Sequence, residues 1–162
     1  MLGKLILIIG VFLLGLYATS IYAAIAPENP INLELPLADK DKDHPANRIL
    51  EDQIHVFKDR IVIDLADAQW SYFADTKSME PVIFAGANAI QVVPDCPDGV
   101  QIGDIISYDS EFSDGVIIHR VVHKDEDEEG TYFIMKGDNN PTSDPGRVRC
   151  DQIKRTVVML VY

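Results

Sequence analysis

Three short stretches of this chain carry residue types that can do chemistry together: S-M-E-P at 78–81, I-I-H-R-V-V at 117–122 and K-G-D-N-N-P-T-S-D-P-G at 136–146. A serine hydroxyl is a poor nucleophile at neutral pH, so a base must take its proton as a carbonyl is attacked. Imidazole suits that task because it titrates near the working pH. A carboxylate on the other ring nitrogen then fixes the tautomer and stabilises the imidazolium. Ser78, His119 and either Asp138 or Asp144 supply all three groups. Singly, each stretch also has a plain structural reading: a strand-to-turn junction at Ser78, a core histidine at His119, and at G-D-N-N a loop rich in residues that tolerate turns.

Other reactive groups fit less well. Lys77 adjoins Ser78, but neighbouring side chains on an extended segment point to opposite sides, so Lys77 is expected at the surface and not as the base. His123 follows His119 on the same predicted strand and face, about 13 Å away at the rise of a strand, too far to share one metal ion. His55 and His44 have no visible partner. The chemistry therefore calls for no metal and no organic cofactor. Cys96 and Cys150 are far apart in sequence and fall in no metal-binding spacing. They are expected as thiols, joined only if the domain lies in an oxidising compartment and the geometry allows it.

The elements that position these residues are mostly strands. Ile54–Phe57 and Ile61–Asp64 flank K-D-R in a hairpin pattern, and further β-rich runs cover 88–93, 105–108, 116–123, 131–135 and 156–162. The acidic run Asp125–Glu129 with Gly130 predicts a turn. Trp70, Tyr72, Phe73 and Met79 are expected to pack in the core, with an apolar rim on a bilayer as the second reading for some of them. No long helical period follows the first 26 residues, and the expected fold class is mainly β. With 47% hydrophobic and 25% charged residues, a packed core is expected and disorder is excluded as a description of the whole.

Leu5–Ala26 is uncharged and long enough to cross about 30 Å of hydrocarbon as a helix. Lys4 precedes it and acidic residues follow, which predicts a single-pass membrane protein with a cytoplasmic amino terminus and the bulk of the chain on the outer or luminal face. Ala24-Ile25-Ala26 also fits a cleavable secretory signal, but Pro27 directly after it disfavours cleavage. Residues 27–47 are rich in proline and mixed charge and read as a stalk, leaving 48–162 as the β-rich domain. After Lys4 the chain carries 13 basic and 26 acidic side chains. Such a surface repels phosphate backbones, so nucleic acid is not an expected partner.

In this order behind an anchor, S-M-E-P, H-R-V and K-G-D-N-N resemble the type I signal peptidases, in particular their archaeal and endoplasmic-reticulum branch. A G-D-I-I-S-Y stretch at 103–108 extends the resemblance, which runs from about Asp75 to Tyr162. It implies a signal peptidase/LexA-like β domain and a membrane-bound serine endopeptidase. By that likeness Ser78 is the nucleophile, His119 the base, and Asp144 the matching acid, with Asp138 as the alternative or a supporting acid. It also implies a role for the Thr76 hydroxyl, with the Ser78 backbone N–H, at the oxyanion. On an extended segment residues 76 and 78 face one side. The implied partners are the signal peptides of preproteins, membrane lipid and the protein-export machinery. Two features depart from the family pattern: Lys77 stands where glycine is common, and Gly86-Ala87-Asn88 replaces a frequent G-D pair. A self-cleaving LexA-like peptidase is disfavoured by the membrane helix and by histidine in place of lysine. The reading from another class is a catalytically silent, membrane-anchored β domain that scaffolds other proteins.

Overall fold

Buried and partly buried positions alternate along Asn88–Val92 and over Tyr132–Lys136, and both runs lie in strands of the computed structural model, which describes residues 44–162. The expected membrane helix and the stalk up to residue 43 lie outside the described residues. Among those described, no helix is long and apolar enough to cross a membrane.

The described residues are mainly β, with two antiparallel sheets and two short 3-10 turns among them, at Glu51–Gln53 and Cys150–Gln152. Residues 51–64 form a unit of their own. In it β1 (Ile54–Val56) pairs with β2 (Ile61–Ile63), as the hairpin pattern predicts, and His55 Nε2 meets Asp64 Oδ2 at 3.0 Å.

The second unit is a six-stranded sheet in the order β3-β4-β8-β5-β6-β7. Its strands are β3 (Gln69–Tyr72), β4 (Asn88–Val92), β5 (Ile105–Asp109), β6 (Val116–Asp127), β7 (Gly130–Lys136) and β8 (Ile153–Val161). Adjacent residues of β5 join different apolar clusters. Ile106 packs with Val100, Tyr108, Val121, Phe133, Met135 and Val148, whereas Ile105 packs with Met79, Ile83 and Ala87. Side chains on a strand alternate between faces, so the sheet carries apolar cover on both sides. Residues 44–50 belong to this unit. The buried Asp104 carboxylate takes the Ala46 N–H at 2.9 Å and the Arg48 guanidinium.

Four expectations change. First, β3 is not among the predicted strands. It is an edge strand that pairs, among the described residues, with β4 alone, so Trp70 and Tyr72 are exposed rather than packed in the core, and their rings meet at 5.8 Å. Second, the acidic run is mostly strand: β6 continues to Asp127, paired with Gly130, which leaves only Glu128 and Glu129 to turn. Third, β6 is bulged between Val121 and His123, two of its residues facing one of β7. The extra residue reverses the alternation, so His123 is exposed while His119 is buried, and the two do not share a face. Fourth, Cys96 and Cys150 are not thiols. They form a disulfide with Cα atoms 5.7 Å apart, which ties the loop before β5 to the turn before β8.

Candidate active site

β6 carries His119 in its buried alternation, and its register places the residue opposite Ile106 of β5. Only 7% of His119 is exposed. A buried imidazole needs a partner for each ring nitrogen it cannot hydrate. Nδ1 finds one in Asp144 Oδ2 at 2.5 Å. The same oxygen accepts the Tyr108 hydroxyl at 2.7 Å. One carboxylate oxygen therefore receives two donors, and its position is fixed from two strands at once. Burial, and after it the hydrogen bond to Asp144, pushes the Tyr108 phenol far above the ordinary phenol range. Tyr108 thus stays a donor across the working pH range.

Asp144 is held in turn by its backbone. Its N–H donates to the Met135 carbonyl of β7 at 2.8 Å, so the loop 137–144 leaves β7 and folds back onto it. The other candidate acid is engaged elsewhere. Asp138 grips Arg120 with both oxygens, each 2.7 Å from a guanidinium nitrogen, and Arg120 also donates to the Gly103 carbonyl at 2.7 Å. The Asp138 hydrogen bonds raise Arg120 above the usual guanidinium range. Asp138 thus anchors the loop to the neighbour of His119 and does not contact the ring in the way Asp144 does.

That loop also holds the serine. Asn139 N–H donates to the Ser78 carbonyl at 2.9 Å, and its side-chain amide donates to the Lys77 carbonyl at 3.1 Å. Gly137 sits so close that a Cβ there would lie 2.6 Å from the Ser78 carbonyl oxygen. Around Ser78 the chain turns rather than extends, with Glu80 N–H on the Lys77 carbonyl at 3.2 Å and Ile83 N–H on the Met79 carbonyl at 2.8 Å. Lys77 has φ 61°, in the left-handed region. The expectation of an extended 76–78 segment fails for that reason, and with it the parity argument about Lys77, which lines the same cleft as Ser78. The expected neighbourhood of Thr76 and Ser78 holds by another route: their hydroxyl oxygens are 3.2 Å apart. Met79, next in the chain, is buried as expected.

Ser78, Thr76 and His119 line one cleft of about 650 Å³, together with Tyr72, Phe73, Ile83 and Ile118. With Nδ1 committed to Asp144, Nε2 is the ring nitrogen left to exchange a proton in the cleft. Among the described residues the Ser78 hydroxyl meets that of Thr76 and makes no hydrogen bond to the ring, so the cleft brings Ser78 and His119 together as lining residues. The formed pair is that of the imidazole and the carboxylate, a pair of the kind that can take up a proton and stabilise the imidazolium. Tyr108, Arg120 and Asn139 carry no role in the reading from sequence, although all three stand inside the stretches singled out there.

No family model matches the chain, and no solved structure matches it. A 44-residue stretch, 27% of this chain, is 52% identical to part of an uncharacterized protein of Methanocaldococcus jannaschii, and it spans 22% of that protein's length.

Proposed function

We propose that this chain is a membrane-bound serine endopeptidase that cleaves signal peptides from exported preproteins, with a signal peptidase/LexA-like β domain carrying the site. The observation that carries the reading is the 2.5 Å contact of Asp144 with His119, whose ring lines one cleft with Ser78 and Thr76. Ser78 Oγ attacks the scissile carbonyl while His119 Nε2 takes its proton. Asp144 stabilises the imidazolium, and His119 then returns the proton to the leaving amine. The Thr76 hydroxyl donates to the oxyanion as charge develops there. Water, activated by the same imidazole, releases the acyl group from Ser78. An extended substrate adds along the edge strand β3, whose outer side has no strand partner among the described residues.

Two further features support placement outside the cytoplasm and beside lipid. The Cys96–Cys150 disulfide is a kind of bond that persists in oxidising compartments. Trp70 and Tyr72, exposed next to the cleft, are the residue types favoured where membrane meets water.

The test uses the full chain in detergent or lipid with a preprotein, comparing the native protein with Ser78→Ala and His119→Ala. The expected result is cleavage by the native chain and its loss in both variants. Undiminished cleavage by Ser78→Ala would sink the nucleophile assignment. No cleavage by the native chain across several preproteins would favour a catalytically silent scaffold.

A further inference from the structure

Part of the cleft's lining is polar where an apolar one would be cheaper to bury. Ser71 on β3, Gln91 on β4 and Ser107 on β5 all line it. They form a chain: Gln91 Nε2 donates to Ser71 Oγ at 2.8 Å, and Ser107 Oγ donates to Gln91 Oε1 at 3.0 Å. Gln91 is 5% exposed and Ser107 6%. Since β8 lies between β4 and β5, the Gln91 side chain spans a strand to reach Ser107. Both ends of the amide are thereby fixed, and its orientation with them.

This chain is paired within itself but not saturated. Ser71 uses its oxygen as acceptor and keeps its own proton, and the Gln91 amide nitrogen carries a second N–H. Before substrate arrives, water in the cleft can meet these donors. A bound side chain that displaces the water must replace those bonds or leave buried donors unpaired. Lys77, Asp114, Lys154 and Arg155 also line the cleft, but Ser71, Gln91 and Ser107 are themselves neutral. A carboxylate or ammonium seated against these three would be desolvated with no counter-charge among them, at a cost that a hydroxyl or amide avoids.

We propose that Ser71, Gln91 and Ser107 form a subsite that selects a neutral polar side chain, a hydroxyl or an amide, at one position of the substrate. The inference rests on the peptidase reading for its substrate, and extends it to a preference that the apolar walls alone would not impose. A site built to hydrogen-bond a polar group rejects the apolar analogue because its own groups are then orphaned, and one lost donor pairing corresponds to about tenfold in recognition.

The experiment separates binding from chemistry. Ser78→Ala full chain in detergent is titrated with fluorescein-labelled peptides of a preprotein cleavage segment, each position in turn carrying Ser, Thr, Asn, Ala or Val, and the native chain is assayed for cleavage of the same set. At one position Ser, Thr or Asn should bind about tenfold more tightly than Ala or Val. Adding Ser71→Ala, a truncation on the edge strand, should flatten that preference while the chain still unfolds cooperatively, at a somewhat lower thermal midpoint because the Gln91 amide loses its acceptor, and Gln91→Leu should reverse it. A flat profile at every position overturns the proposal, as does a preference that survives Ser71→Ala. Cleavage with a flat profile sinks the subsite and leaves the peptidase reading standing. A polar preference in binding without cleavage by the native chain does the opposite, and absence of both binding and cleavage sinks the two together.

Discussion

Replacing Asp144 by Asn tests how the carboxylate works, because the two donors it receives converge on one oxygen. In a serine, histidine and aspartate set with an unsupported acid, the Asn amide can turn its NH2 toward the ring, force the wrong tautomer and cost about 10⁴ in kcat. Here Tyr108 O–H, 2.7 Å from Oδ2, needs an acceptor there and stays protonated. In Asp144→Asn, an amide that placed its NH2 at that position would face two donors with a third. The favoured orientation keeps the amide oxygen toward both Tyr108 and His119, so the tautomer survives and only the charge is lost. A charge-assisted hydrogen bond is worth about 1–2 kcal/mol more than a neutral one, which corresponds to a loss of about 5–30-fold. Removing the pin as well, in Tyr108→Phe with Asp144→Asn, frees the amide to turn, and the loss should approach the full 10⁴ or so. The assay is kcat on a preprotein under saturating substrate for Asp144→Asn, Tyr108→Phe, the double variant and Asp144→Ala. Strong non-additivity between the two single changes is expected. If Asp144→Asn alone falls as far as the double variant, Tyr108 does not set the amide orientation and the reasoning is refuted.

Asp138→Asn should cost about 1–3 kcal/mol in denaturant unfolding, because it removes the charge from a paired guanidinium, and should lower kcat less than Asp144→Ala does. Thr76→Val should lower kcat by about a hundredfold or more with KM little changed, and an unaltered kcat would remove Thr76 from the oxyanion. Reduction of the Cys96–Cys150 bond, which joins residues 54 positions apart, should lower unfolding stability by about 4 kcal/mol, read as a shift of the denaturation midpoint with reductant. Asp127 is drawn down to about 2, first by its hydrogen bond to Arg149. Its folded value is depressed, so the associated stability is present above the ordinary carboxylate range near 4 and is lost as pH falls toward 2. Arg149→Leu should flatten the thermal midpoint against pH in that window.

Much of the sheet was legible because its strands are rich in β-branched and apolar residues. Asn88–Val92 and Ile105–Asp109 are recognisable from β-branched and apolar runs bounded by Gly, Pro and Asp. What escaped was set by tertiary context. Gln69–Tyr72 is a strand only because β4 offers it an edge, and at that edge its aromatics remain exposed. The bulge at Val122 leaves no mark in an apolar run, yet it decides that His123 and His119 part company. At the site, the residue types and their order pointed to Ser78 and His119. The choice between Asp144 and Asp138 was left to likeness, since both aspartates are loop residues and only the return of the loop to Met135 distinguishes them. The left-handed Lys77 was hidden for a similar reason: its turn is held by hydrogen bonds from Asn139 and Glu80, the first of them 62 positions away in sequence.

The loop that leaves β7 grasps the serine at one end and delivers Asp144 at the other, with Gly137 and Asn139 against the Ser78 backbone. One continuous segment, from Gly137 to Asp144, thus acts as a gauge between Ser78 and Asp144. Relative alignment of those two groups is then a property of a short ruler that is pinned to β7 at Met135 and to β6 at Arg120. A side chain at Gly137 would miscalibrate it at its origin, shifting Ser78 while leaving Ser78, His119 and Asp144 chemically intact.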